Sequence, residues 1–184
     1  MSSHVRWSPA LRMRRRVPEP AASWVFDTGS LTARLSERCP GRFKVRVLFH
    51  GWALPGSGEA RVLGLGRCRG ALIREVHLYC GDTPVVFART VIPAATARGR
   101  SRRVAHLRNR PLGAFLFADP TLEREALEVV DAPPGRDIRR RSAGSETRDA
   151  RVWGRRSVFR LRGRSLLVAE VFLPALFDNP GGAR

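Results

Sequence analysis

The chain is short of several residue types, and each shortage removes a class of explanation. Its three cysteines, Cys39, Cys68 and Cys80, are odd in number and scattered, which predicts no disulfide framework, a reducing compartment and hence the cytoplasm. No apolar run approaches the roughly 18 residues needed to cross a bilayer, so no transmembrane segment is expected. The N-terminal MSSHVRWSPALRMRRRVPEP is basic without an apolar core, which excludes a secretory signal. With no acid before Glu19 it faintly resembles a transit peptide, and residues 1–18 read as a poorly ordered basic arm. No Walker loop and no Gly-x-Ser-x-Gly elbow is present, and GLGRCRG misses the dinucleotide fingerprint by one residue, so nucleotide hydrolysis and serine esterase chemistry have no support. Cys68, Cys80 and His77 lack zinc-site spacing, so no metal is expected. His4, His50, His77 and His106 pair with no nucleophile and read as structural or surface residues.

Lysine is the other absence: Lys44 stands alone among 34 basic residues, and the formal charge is +18. Such a field attracts anionic ligands, nucleic acid and membrane surfaces alike. A basic set made almost wholly of arginine reads as a bias of codon composition. The arginine clusters at 12–16, 98–110 and 136–141 fall in expected loops without interleaved aromatics, so a nucleic-acid partner is not expected.

What is present fits one domain over residues 19–177, since 184 residues suffice for one core and no composition shift marks a second. Helical spacing over Glu19–Cys39, interrupted at Gly29 with Ser30 as a cap, predicts two short helices. RFKVRVLFHGW alternates as a half-buried strand, with Phe43, Val45, Val47 and Phe49 on one face. Residues 53–69 read as a Gly-rich loop with a turn of helix near Glu59–Leu63. GALIREVHLYC and PVVFARTVIP flank GDT as a β-hairpin. Pro111 suits the first turn of a helix in RPLGAFLFAD, and TLEREALEVVD reads equally as helix or strand. Residues 132–150 are polar and read as a mobile insertion, 178–184 as a tail. A second hairpin, turning at 162–164, closes an α+β domain with an antiparallel sheet.

Two charges sit on the wrong faces of these strands. By period-two parity Arg74 shares a face with Leu72, Val76 and Leu78, and Glu170, in LLVAEVFLPA, shares one with Val168 and Phe172. A buried charge must find a counter-charge or a ligand. The structural alternative is an ion pair of Glu170 with Arg74 or with Arg89, and Arg89 lies opposite Glu75 in one hairpin register and on the Arg74 face in another. The functional alternative is a ligand cavity in which Arg74 grips an anion and Glu170 handles a proton or hydroxyl.

The blocks LIREVHLYCGDTPVVFARTVIP, RPLGAFLF, WGRRSVFRLRGRSLLVAEVFLPA and, more faintly, DTGSLTARL resemble, in order, those of the bacterial chorismate lyase (chorismate pyruvate-lyase) family. The resemblance spans most of residues 24–175. It implies a six-stranded antiparallel sheet with helical flaps over a buried site, and conversion of chorismate to 4-hydroxybenzoate and pyruvate on the way to ubiquinone, with no metal and no cofactor. Family binding residues carry over to Arg74, Glu170, and Leu112 and Leu31 through their backbones, with Arg74 and Glu170 in the catalytic roles. Leu31 stands where better-known members have Met, and residues 132–150 exceed the family connection. The partners implied are chorismate and 4-hydroxybenzoate, and a monomer is expected. A small-molecule sensor is the competing reading, since effector domains of some transcription regulators resemble this fold. About 20 residues before the first helix are too few for a DNA-binding domain, which weighs against it.

Overall fold

From a two-residue strand, β1 (Ser8–Pro9), the chain passes through three short helices, α1 (Ala10–Met13), α2 (Ala21–Val25) and α3 (Leu31–Arg38), to the first long strand, β2 (Phe43–Ala53). Helix α4 (Ser57–Val62) leads into the hairpin of β3 (Ala71–Cys80) and β4 (Thr83–Pro93). Then come α5 (Ala94–Arg98), a 3-10 turn (Arg102–His106), α6 (Leu112–Phe117), the short strands β5 (Glu123–Arg124) and β6 (Glu128–Ala132), and the closing hairpin of β7 (Val152–Leu161) and β8 (Arg164–Phe172). The computed structural model describes residues 6–66, 68–98, 102–107, 109–132 and 151–178. The expected insertion over 132–150 and the tail over 178–184 lie, but for Ala132 and Asp178, outside them. No helix among the described residues is long and apolar enough to cross a membrane.

One antiparallel sheet holds all of the strands, in the order β1-β6-β7-β8-β4-β3-β2, with β5 paired to β7 off that path. Six strands have five residues or more, and β1 and β5 have two each. The α+β architecture expected from the sequence is therefore present, with two minimal strands added. Both hairpins turn where left-handed backbone is easiest. Gly81 has φ +65°, and the second turn places Arg162 at φ +51° and Gly163 at φ +72°, the two positive values that a type I′ turn requires and that match the twist of its strands.

Several expectations are corrected by pairings invisible in the local sequence. Residues 8–17 are not an arm, because Ser8 pairs with Val129 and Met13 and Val17 enter the core. Phe49 leaves the face of Val45 and Val47, because a bulge between Val47 and Phe49 puts it opposite Glu75 and leaves it 42% exposed. The residues of TLEREALEVVD form strands at Glu123–Arg124 and Glu128–Ala132. Pro111 caps α6 rather than opening it.

Cys39 and Cys80 form a disulfide, against the expectation that none would form. Cys80 pairs with Phe43 across β2–β3, and Cys39 ends α3 just before β2, so the sheet brings together thiols 41 residues apart. The bond withdraws the argument from cysteine number to a reducing compartment.

Two apolar clusters cover the inner face of the sheet. One packs α2 and α3 residues (Trp24, Val25, Leu31, Leu35) on Val76, Leu78, Val86, Trp153 and Phe172. The other packs Leu107, Leu112 and Leu116 on Leu72, Ile92, Phe159, Leu166 and Val168. Each fully buried large side chain in such clusters contributes roughly 1.5–3 kcal/mol. The seam between them carries the charges.

Candidate active site

Strand register builds that seam in two rows. Arg74 on β3 lies opposite Thr90 on β4, which lies opposite Val168 on β8, which lies opposite Ser157 on β7. One step along, Val76, Ala88, Glu170 and Arg155 form the next row. Cross-strand partners share a face, so Arg74, Glu170 and Arg155 all project toward the helices.

Above these rows the first turns of α3 and α6 meet as a lid. Ser30 caps α3, its Oγ accepting the Ala33 N–H at 3.3 Å, while Leu31 and Leu112 are the first residues of their helices, positions whose N–H groups lack an intrahelical acceptor. The helices approach through Gly113, where a Cβ would stand 2.6 Å from Thr32 Oγ1 and 3.2 Å from Ser30 Oγ. A larger residue there would force the Thr32 and Ser30 side chains to move.

Between lid and sheet lies a cavity whose lining includes Leu31, Arg74, Leu112, Arg124, Arg155 and Glu170. All four site residues expected from the sequence therefore line one cavity. Arg74 is 2% exposed, and one of its Nη atoms donates to the Arg110 carbonyl at 3.1 Å. Burial pushes its pKa down to about 10, still cationic at neutral pH.

Glu170 pairs with neither arginine proposed for it. Its Oε2 accepts from Arg155 Nε at 2.5 Å, because Arg155 is its direct neighbour across β7–β8. Arg155, 1% exposed, also donates through Nη1 to the Trp24 carbonyl at 2.9 Å and to the Asp27 carbonyl. It thus ties the carboxylate to the loop that enters the lid. Arg89 sits on the other face, bound to Glu59 at 2.7 Å and Glu75 at 2.5 Å, and takes no part in the cavity.

Sequence reasoning missed Arg155 and Arg124. Parity with Trp153, Ser157 and Phe159 would have singled out Arg155 as it did Arg74, but the doublet Arg155–Arg156 hides the signal by placing one arginine on each face. Arg124 sits on a two-residue strand too short to show alternation. Its Nε donates to Ser157 Oγ at 3.0 Å and its Nη1 to the Thr28 carbonyl at 3.1 Å. Burial and then the Arg155 charge lower its pKa, against the opposing pull of Glu170 and Asp27. Asp27 braces the same loop: burial would raise its pKa, but the Gly29 N–H, the Arg34 bond and the charges of Arg155 and Arg34 bring it below the usual value. Among the described residues no group of three or more His, Cys, Asp or Glu side chains is placed to share a metal ion.

A family model described as chorismate lyase matches residues 1–181. The chain belongs to the chorismate lyase family. A protein of Methylococcus capsulatus named "probable chorismate pyruvate-lyase" is 47% identical over 88% of this chain and 99% of its own length. One of Aromatoleum aromaticum with the same name is 45% identical over 91% of each. Among solved structures, a GntR-family transcriptional regulator from Bacillus cereus aligns with TM-score 0.56 over 78% of this chain and all of its own, at 14% identity. PhnF from Mycobacterium smegmatis aligns with TM-score 0.56 over 83% of this chain and 67% of its own, also at 14% identity. At such identity the regulators share the fold with this chorismate lyase family member and nothing further follows.

Proposed function

We propose that this protein is a chorismate pyruvate-lyase that converts chorismate to 4-hydroxybenzoate and pyruvate, supplying the ring of ubiquinone. The observation that carries the reading is the charge of the cavity. Three guanidinium groups, Arg74, Arg124 and Arg155, and one carboxylate, Glu170, face a mostly apolar enclosure, leaving a formal surplus of two positive charges. Chorismate is a dianion on a carbocyclic ring, and an apolar pocket with a few convergent charged groups suits it.

The chemistry asks little of the protein beyond position and one proton. The C4–H leaves as a proton, the C3–O bond breaks, and a C3–C4 double bond completes the aromatic ring. Enolpyruvate departs and takes up a proton to become pyruvate. Arg74 holds the ring carboxylate, since a planar guanidinium makes a charge-assisted, bidentate bond to such a group. The N–H groups that open α3 and α6, at Leu31 and Leu112, lack an intrahelical acceptor and add donors on the lid side.

Glu170, fixed by Arg155, accepts the 4-hydroxyl hydrogen bond and assists the proton leaving C4, a contribution that elsewhere amounts to roughly 10²–10⁴-fold. We expect the lid to slow the departure of the aromatic product, so that release limits turnover.

The deciding experiment incubates purified protein with chorismate and follows 4-hydroxybenzoate and pyruvate together. Equal amounts of the two are expected. Folded protein that forms neither ends the lyase reading and returns weight to a small-molecule sensor.

A further inference from the structure

The lyase reading leaves one of the two substrate carboxylates without an assigned partner. Arg155 is committed, with Nε on Glu170 and Nη1 on two backbone carbonyls. Arg124 is placed differently. It lines the cavity, is anchored by two bonds to neutral oxygens, and among the described residues is in no ion pair with a carboxylate. A guanidinium carries five N–H donors, so most of its donor capacity remains for a ligand, and the nearby charges of Glu170 and Asp27 act on it without a direct ion pair.

Position separates its task from that of Arg74. Along their row Arg74 is on β3 and Ser157, the tether of Arg124, is on β7, with β4 and β8 between. Three strand spacings separate the two backbones by about 14 Å, and each long side chain reaches inward, so the two cations flank the cavity. Glu170 lies on β8, one strand from the Arg124 tether and two from Arg74. In chorismate the ring carboxylate is across the ring from the 4-hydroxyl, and the enolpyruvyl group is on the adjacent carbon. With the hydroxyl at Glu170, the far carboxylate falls toward Arg74 and the near one toward Arg124.

We propose that Arg124 is the second anion anchor of this site, gripping the carboxylate of the enolpyruvyl group, which departs with pyruvate. The assignment rests on the lyase reading. It makes Arg124 a residue that recognises substrate and leaving group but not the aromatic product. Negative charge develops on the departing enolpyruvate as the C3–O bond breaks, so this cation acts more strongly in the transition state than in the ground state.

The test compares chorismate turnover with 4-hydroxybenzoate binding in the same variants. Arg124→Gln should lower kcat/KM for chorismate by roughly 10²-fold or more while changing the Kd for 4-hydroxybenzoate by less than about threefold, and Arg124→Lys should recover part of the loss. Arg74→Gln should weaken both ligands. Equal losses for chorismate and 4-hydroxybenzoate in Arg124→Gln, or no loss for either, overturn the assignment.

A measurement on the unmodified protein covers the case in which the variants do not fold. 3-(Carboxymethoxy)-4-hydroxybenzoate, which carries the second carboxylate on a stable ring, should bind at least tenfold more tightly than 4-hydroxybenzoate, and equal affinity overturns the proposal. Absence of chorismate turnover by the unmodified protein sinks the lyase reading itself, whereas turnover with no selective effect at Arg124 sinks only this inference.

Discussion

The two faces of the sheet carry buried charge in adjacent positions of the same strands, yet they use it in opposite ways. Arg74 and Glu75 are neighbours, as are Ala88 and Arg89, and Ala169 and Glu170, so alternation sends one member of each pair inward and one outward. On the outer face Arg89 binds Glu59 and Glu75 together. Burial alone would lower its pKa, but the Glu59 bond and charge and then those of Glu75 raise it above the ordinary value. The one cation there is held by two carboxylates, which leaves a formal surplus of one negative charge and nothing to draw an anion. On the inner face three arginines share a cavity with one carboxylate, and burial leaves Arg74 with a lowered pKa. A cluster whose cation is doubly paired stabilises a fold, whereas one with a surplus of cations around a cavity suits an anionic ligand.

The comparison breaks most sharply at Glu170. Glu170→Gln should lower kcat per folded molecule by roughly 10²–10⁴-fold and also cost stability, because buried Arg155 loses its counter-charge, read by steady-state kinetics beside a thermal melt; a variant with full kcat would place the proton chemistry elsewhere. On the outer face the effects should reverse. Arg89→Met leaves two carboxylates facing each other in a partly buried setting and should destabilise the protein by about 3 kcal/mol, measured by urea unfolding, while the folded fraction keeps its kcat. A fall in turnover per folded molecule would erase the distinction between the faces.

Smaller effects sharpen the picture at the ends of the lid. Cys80→Ser opens a bridge that spans 41 residues and should lower stability by roughly 2–4 kcal/mol, seen as a shift in the urea midpoint. Since Cys39 follows the helix whose first turn covers the cavity, the same variant should bind 4-hydroxybenzoate more weakly at temperatures near its melt.

The smallest change belongs to Asp27. Its folded pKa lies below the unfolded value, so the unfolded chain binds more protons in acid. The stabilisation is therefore present above about pH 4 and is lost as the pH falls through the folded pKa. Asp27→Asn should flatten the acid limb of the stability profile by less than about 1 kcal/mol, measured as Tm against pH.

Much of the site was legible from alternation alone. Arg74 and Glu170 stand out because a charge at an apolar position of a long, regular strand has few innocent explanations, and both turn out to face the cavity. Arg89 was ambiguous because period-two reasoning assigns faces within one strand but not the register between two. The observed pairing of Arg89 with Glu75 resolves it. Arg155 was hidden by its arginine neighbour and Arg124 by the brevity of its strand. The disulfide was missed for a related reason, since strand pairing and not spacing brings Cys39 to Cys80.

Local pattern by itself determined the hairpins, the Ser30 cap, the α+β class and the two out-of-place charges, because turn geometry, capping and pleat are settled within a few residues. The tertiary structure alone decided which charges meet. Whether Glu170 answers to Arg74, Arg89 or Arg155, and whether an arginine is neutralised or left facing a cavity, depends on strand order and register between segments far apart in the chain. A short window carries no information about that distance.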